Sequence, residues 1–404
     1  MRAPAFVAAL AATGLAIAGL AGGCGGGGTN VTEIAAASGD WVWRLPPGLP
    51  VPAVPDDNPM SVAKVELGRF LFYDRRLSAN GTQSCGSCHR QALAFTDGRV
   101  TSIGSTGDAH PRNAQPLANV AYSPTLIWAN PALDSLERQM TVPLFGDNPV
   151  EMGLNDGNKD AVLDRIGGAY GDRFRAAFPG DAQPVSWSAV IKAIAAFQRS
   201  IVAADSRFDR YQRGEGTLTA SELRGLDLFN SEKAECFHCH TSFNLNDQVR
   251  HAASRLVETP FHNTGLYDID GAGGFPFPNR GLLEITGVPT DMGRFRAASL
   301  RNVAVTAPYM HDGSIATLDG VLDFYAAGGR VIASGPLAGD GRRNPFRSVL
   351  VGRIELSAQD KADIVAFLGS LTDETLLVDP RFADPFAASG SGDPDAVPVK
   401  RASQ

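Results

Sequence analysis

Two short strings constrain this chain more than anything else in it: Cys85-Gly86-Ser87-Cys88-His89 and Cys236-Phe237-His238-Cys239-His240. The chain has five cysteines, and these strings take four of them. Two thiols three positions apart, with a histidine directly after the second, suit one chemistry above others. The thiols add across the vinyl groups of a haem, and the adjacent imidazole then reaches the iron from one face. A zinc ribbon sets its paired knuckles about 15–20 residues apart, whereas these strings lie on separate halves of the chain. A thioredoxin-like redox pair needs no trailing histidine and does not account for two copies. Disulfides are the usual reading of an even cysteine count in an exported protein, but they leave both histidines unexplained. The strings therefore mark two covalently attached c-type haems, with His89 and His240 as axial ligands. The second axial position stays open between Met60, Met140, Met152, Met292, Met310, the remaining histidines and the tyrosines.

Export is what the N-terminus predicts. Arg2 precedes an apolar, Ala-rich run from Phe6 to Leu20, followed by Ala21-Gly22-Gly23-Cys24. A short positive region, a hydrophobic region and small residues form a secretory signal. The run is barely long enough to span a bilayer and ends in glycines, which speaks against a transmembrane helix. Cys24 occupies the lipidated position of a bacterial lipoprotein signal, although Ala21 stands where Leu is more usual. The expected location is the periplasm, with attachment to the membrane through a lipid on Cys24, or soluble export as the alternative. The net charge is -7 with 20% charged residues, so no basic field points to nucleic acid or an anionic membrane surface.

Along the chain the expected units are a signal peptide (1–24), a flexible Gly/Pro-rich linker (25–58), an N-terminal haem domain (59–215), a C-terminal haem domain (216–373) and a disordered tail (374–404). Leu67, Phe70 and Leu71 repeat at helical spacing after Pro59. A second helix is expected from about Pro184 to Ala203, with Trp187, Val190, Ile191, Ile194 and Ile201 on one face. A third starts at a capping box, Thr219 to Glu222. Gly68-Arg69-Phe70-Leu71-Phe72 before the first haem string and Gly225-Leu226-Asp227-Leu228-Phe229 before the second read as a diverged internal repeat. No sustained alternating pattern of strands appears. The fold class is mainly α, with two cytochrome-c-like haem domains packed against each other.

From Leu67 to about Gly329 the chain resembles the bacterial di-haem cytochrome c peroxidase and MauG superfamily. The resemblance is carried by the first haem string, Ala94-Phe95-Thr96-Asp97-Gly98, Arg112-Asn113, Asn148-Pro149-Val150-Glu151-Met152-Gly153, Leu300-Arg301-Asn302-Val303 and Ala307-Pro308-Tyr309-Met310-His311-Asp312-Gly313. Leu117-Ala118-Asn119-Val120-Ala121-Tyr122 and Trp128-Ala129-Asn130-Pro131 look most like the branch associated with methanobactin gene clusters, MbnH. The resemblance implies that hydrogen peroxide meets a five-coordinate haem at His89, where Glu151 and Gln139, with Pro143 beside them, match the family's distal residues. A carboxylate there moves a proton between the two peroxide oxygens. The spacing from Gln139 to Glu151 is two residues longer than the family's.

The resemblance also implies a six-coordinate haem at His240. Its ligand lies fourteen residues beyond the His of the His-Asp-Gly string, and His311 plus fourteen is Tyr325. Thr317 caps a helix on which Leu318, Val321, Leu322 and Tyr325 share a face. Met310 is the substitute ligand. A Tyr ligand favours higher-valent iron, so peroxide would raise both haems and the stored charge would oxidise a residue on a partner protein, which the MbnH likeness implies is a Trp on a copper-associated partner of the MbnP type. Trp128 would relay charge between the haems. A calcium ion is implied at Asn113 and the carbonyls of Thr306 and Pro308. MauG has an exit tryptophan two residues before its second haem string, and here that place is Ala234. Two other readings are a conventional peroxidase fed by a small cytochrome or copper protein, and a non-enzymatic di-haem electron carrier.

Overall fold

The computed structural model describes residues 32–35, 40–352 and 354–387. The signal segment with Cys24 and the last seventeen residues, 388–404, lie outside the described residues. The fold is mostly helical with two small antiparallel sheets: β1 (Thr32–Ala35) pairs with β2 (Val42–Leu45), and β3 (Val331–Ile332) with β4 (Gly339–Asp340). The helices are α1 (Val62–Tyr73), the single turn α2 (Cys85–Cys88), α3 (Leu136–Phe145), α4 (Lys159–Ala177) and α5 (Trp187–Ser200). They continue with α6 (Arg207–Gln212), α7 (Ala220–Phe229), the turn α8 (Leu283–Thr286), α9 (Leu318–Ala327) and α10 (Ala358–Ser370). No helix among the described residues is long and apolar enough to cross a membrane.

Each half is organised by one helix pair, α1 on α5 and α7 on α10, and the repeated glycine explains why they meet. A Cβ on Gly68 would lie 1.9 Å from the Ala193 carbonyl oxygen, and one on Gly225 would lie 2.0 Å from that of Asp363. Any side chain there would hold the backbones apart, so glycine sets the close crossing. One turn further on, Phe72 meets Phe197 edge-on at 5.1 Å between ring centroids, and Phe229 meets Phe367 at 5.2 Å. Ser61 caps α1, Ser186 caps α5, and Thr219 with Glu222 closes the predicted capping box on α7. The α5 helix is buried far beyond one face: every residue from Ala193 to Ser200 is enclosed. That is more than the amphipathic stripe in its sequence implies, because α1, α3 and the N-terminal segment cover it from several sides.

Two of the expected segments need correction. The segment 25–58 is no free linker over its described part from residue 40. Trp43 and Leu45 are buried with Met60 and Ala196, and the Tyr122 hydroxyl donates to the Pro50 carbonyl at 2.7 Å. Burial of two such large side chains favours docking over freedom. Just before the expected domain boundary at 215, Phe208 packs edge-on with Phe367 at 5.3 Å in the C-terminal core. Asp209 also accepts from the Arg301 guanidinium at 2.9 Å. The start of the expected disordered tail is ordered as far as residue 387. Leu376, Phe382 and Phe386 return to the N-terminal core, where the Tyr73 hydroxyl donates to the Phe382 carbonyl at 2.7 Å. Its composition is polar on average, but three apolar side chains suffice to anchor it.

Candidate functional site

The two haem strings each form one tight turn at the wall of a cavity. In the first, Ser84 and Ser87 close a capping box around α2. His89 then follows as its C-cap and donates from Nδ1 to the Phe95 carbonyl at 2.7 Å. A carbonyl only accepts, so the proton sits on Nδ1 and Nε2 keeps its lone pair. That is the state in which an imidazole ligates iron, with its orientation fixed by the outer hydrogen bond. Ala94 and Phe95 both take left-handed backbone (φ 50° and 67°) to aim that carbonyl. The second site repeats the device: His240 donates from Nδ1 to the Leu245 carbonyl at 3.1 Å, and Leu245 has φ 53°.

Burial pushes Cys85 and Cys236 up to about 12 and Cys88 up to about 11. Burial likewise holds His89 and His240 below the usual imidazole range, in the neutral form a ligand requires.

The first cavity, of about 400 Å³, is lined by Cys85, Cys88 and His89 together with Gln139, Pro143 and Glu151, the residues that the family resemblance singled out. Gln139 and Pro143 lie one turn apart on α3, so they share a face. The Pro143 carbonyl accepts from the Met152 N–H at 2.9 Å, which ties the Glu151 loop to that helix. On its other side the loop is held by the Ser105 N–H, which donates to the Glu151 carbonyl at 2.8 Å. Sequence reasoning missed His110 and Arg112 in this wall. His110 Nε2 lies 3.5 Å from Glu151 Oε1, and Arg112 pairs with Glu284 of the C-terminal half at 2.6 Å. Arg112 stood inside a recognised string, but a lone loop histidine carries no spacing signal.

The second cavity, of about 240 Å³, is lined by Cys236, Cys239, His240, Tyr325 and Met310. Tyr325 sits on α9, whose Thr317 cap accepts from the Gly320 N–H at 3.1 Å, as expected. Met310 holds left-handed backbone (φ 71°) in the turn before Gly313. Asn113, Thr306 and Pro308 also line this cavity. Asn113 donates from Nδ2 to the Arg99 carbonyl at 2.8 Å. Burial drives His311 down to about 4, and its Nε2 is enclosed without a hydrogen-bond partner among the described residues. Phe295 stacks on that ring at 3.7 Å. An enclosed polar atom beside a cavity calls for a ligand group. The donor sets, the paired thiols and this orphaned nitrogen together fit one haem in each cavity.

Trp128 lines both cavities and so stands between them. Its Nε1 donates to the Asn113 carbonyl at 2.9 Å, and its own carbonyl accepts from the Arg296 N–H at 3.0 Å. Arg296, also missed from sequence, is buried in the second wall and donates to Gln115 Oε1 at 2.9 Å. Ala234 is buried in the C-terminal core, so nothing at that position reaches the surface.

The family model for di-haem cytochrome c peroxidase matches residues 62–217. The cytochrome-c peroxidase IdrP1 of Pseudomonas sp. (strain SCT) is 35% identical over 372 residues, covering 88% of this chain and 92% of the relative. Methylamine utilization protein MauG of Methylorubrum extorquens is 32% identical over 335 residues, covering 82% and 84%. Among solved structures, a MauG-like protein associated with microbial copper homeostasis is 58% identical with a TM-score of 0.85, covering 86% of this chain and 99% of that one. The di-haem peroxidase BthA from Burkholderia thailandensis E264, at 23% identity and TM-score 0.60, shares the fold. Likeness over most of the chain to peroxide-consuming haem enzymes displaces the electron-carrier reading. By its attachment sites, its fold and its relatives, this chain belongs to the di-haem cytochrome c peroxidase and MauG family and is a haem-dependent oxidoreductase acting on peroxide.

Proposed function

We infer that this is a periplasmic enzyme of the MauG type, using hydrogen peroxide to oxidise a residue on a partner protein. The observation that carries the reading is Tyr325 in the wall of the His240 cavity. A phenolic oxygen as second ligand stabilises oxidised iron, whereas a thioether favours the reduced state that an electron relay needs. When bound, the haem pair supplies peroxide reduction at one centre and storage of oxidising charge at both. Everything else falls to the chain itself. His89 and His240 would hold the haem irons, each with its ring oriented by the carbonyl at Nδ1. Glu151, beside Gln139 and Pro143, carries the proton that must move from the near to the far peroxide oxygen. Trp128 offers an indole between the two cavities for charge to cross.

The likeness to a MauG-like protein associated with copper homeostasis supports the MbnH branch and a copper-associated partner of the MbnP type. The oxidised residue would then be a tryptophan, converted towards kynurenine. Burial of Ala234 supports an exit for oxidising charge elsewhere than in MauG. A calcium ion held by Asn113 Oδ1 and the carbonyls of Thr306 and Pro308, and a lipid on Cys24, complete the reading.

One observation favours a second reading: Met310 shares the wall with Tyr325. With Met310 as ligand the protein is a conventional peroxidase drawing electrons from a small cytochrome or copper protein. One equivalent of peroxide added to the purified protein separates the two. Near-infrared absorption from coupled haems, lost in Tyr325→Phe, together with oxygen added to a co-expressed partner by mass spectrometry, supports the MauG type. Rapid turnover with a reduced small donor, unchanged in Tyr325→Phe and lost in Met310→Leu, would replace it.

A further inference from the structure

We propose that His110 is the residue through which Glu151 exchanges its proton with solvent, making it a positioning residue for the peroxide reaction. The inference rests on the reading of Glu151 as the proton-carrying group.

The local fold holds the two side chains together. His110 ends a short hairpin in which Ile103 bridges Ala109, and its N–H donates to the Ser102 carbonyl at 2.7 Å. The same hairpin grips the Glu151 loop. Ser105 donates to the Glu151 carbonyl, and Gly104 lies so close that a Cβ there would come within 1.8 Å of the Val150 carbonyl oxygen. His110 and Glu151 therefore move as one unit. Their side chains are both partly open to solvent, at 29% and 34% exposure, with Nε2 3.5 Å from Oε1.

The surroundings of Nδ1 are what make this ring a relay. The Arg112 N–H and the Arg112 carbonyl oxygen both lie 3.2 Å from it. In the neutral form with the proton on Nε2, Nδ1 accepts from the Arg112 N–H and Nε2–H faces Glu151. In the cation, Nδ1–H donates to the Arg112 carbonyl and Nε2–H still faces the carboxylate. In the neutral form with the proton on Nδ1, that carbonyl bond persists and Nε2 faces a protonated Glu151 as acceptor. All three forms keep a partner for Nδ1 without movement of the ring, and Nε2 stays 3.5 Å from the carboxylate throughout. The transfer step is His110 cation plus Glu151 carboxylate giving neutral His110 and the carboxylic acid. One N–H bond breaks, one O–H bond forms, and no electron moves. Solvent then returns a proton to the exposed ring.

Arg112 ties this frame to the other domain. Its guanidinium donates to Asn279 Oδ1 at 3.0 Å and the Pro278 carbonyl at 3.1 Å, and pairs with Glu284. The charged and titratable groups around the ring are Glu151, Arg112, Asp108, Glu284 and, across the cavity, His89. Arg112 and Glu284 neutralise each other, and Asp108 accepts from the Thr106 hydroxyl at 2.6 Å. Glu151 is the carboxylate that faces the imidazole itself, with Oε1 3.5 Å from Nε2.

The test uses the ferric holoenzyme and cyanide, which binds the His89 haem as an anion after hydrogen cyanide gives up its proton. Its binding rate is measured against pH, alongside the reaction with peroxide. Wild type should show an inflection in the range of imidazole titration. His110→Gln should lose that inflection and slow binding at least about tenfold, short of the roughly 10²–10⁴-fold expected for losing an acid–base group outright. Added imidazole should restore His110→Ala but not Glu151→Gln. In a Glu151→Gln background, His110→Gln should add nothing. A wild-type profile in His110→Gln overturns the relay, and so does equal slowing in both His110 variants with the profile intact and no imidazole rescue. If Glu151→Gln itself has no effect, the assignment of Glu151 fails instead.

Discussion

The two haem halves are built to one plan and finished differently. Gly68 and Gly225 let the same helix pair meet, His89 and His240 are oriented by the same kind of carbonyl, and Asn119 and Asn302 sit in the same left-handed turn (φ 61° and 62°). What differs is the cavity over the imidazole. The first is walled by Glu151, Gln139, His110 and Arg112. The second presents Tyr325 and Met310. On the function proposed above, the shared frame would position each haem and the differing walls would divide peroxide chemistry from charge storage. Function in this fold lives in the wall and not in the helix pair.

The sharpest way to break this comparison is in the walls. Glu151→Gln should slow peroxide reaction roughly 10²–10⁴-fold with both haems attached. Stopped-flow kinetics checks it, and a normal rate would mean that the first cavity does not owe its reactivity to that carboxylate. Next in size, Gly68→Ala and Gly225→Ala should each destabilise by about 3 kcal/mol. Forcing a methyl against a backbone carbonyl outweighs the gain of about 1 kcal/mol in helix propensity. Denaturant unfolding with haem content measures this, and loss confined to one half would show that the halves are not equivalent.

The asparagine pair predicts an inequality. Asn119 donates to the Ala203 carbonyl at 2.9 Å and accepts from the Ala203 N–H at 2.7 Å. Asn302 accepts from the Asp373 N–H at 2.8 Å, while its Nδ2 is enclosed without a partner. Asn119→Ala should therefore cost more than Asn302→Ala, by about 1 kcal/mol, the worth of one further hydrogen bond. Equal losses in thermal unfolding would contradict it.

The smallest effect concerns acid. Where the first half has Ala193 under its glycine, the second has Asp363, bonded to Arg224 at 2.7 Å and to the Ser221 hydroxyl at 2.5 Å. The Arg224 guanidinium, then Ser221, hold this carboxyl down to about 2, against an ordinary 3.8. A carboxyl depressed on folding contributes stability that is present above its unfolded value and lost as pH falls through its folded one. The C-terminal half should thus weaken between about pH 4 and 2 by more than Asp363→Asn does. Melting followed at the second haem's absorption would show it, and an identical acid profile in the variant would rule the pair out as the cause.

Much of this was legible in the chain itself. The haem strings, the repeated Gly-x-x-x-Phe segments, the capping box at Thr219 and the cap at Thr317 are all read within a few residues, and each forms as expected. Gln139, Pro143 and Glu151 were placed by family likeness, and they do share the His89 cavity. The polar segments around the core were misjudged. Composition averages over a stretch, whereas Trp43 and Phe382 each dock by themselves into grooves made by distant helices. His110 was invisible because its meaning comes from Glu151, forty-one residues away and tied to it only by the hairpin contact.

The sequence by itself determined where haem is attached and which helices cross, because covalent spacing and helix periodicity are set by neighbours along the chain. Only the tertiary structure decided which side chains line each cavity, that Trp128 borders both, and that Trp43, Leu45, Leu376 and Phe382 pack against the N-terminal half. Those outcomes depend on packing between residues far apart in sequence, where the cost of burying each polar group is settled by partners that no local pattern names.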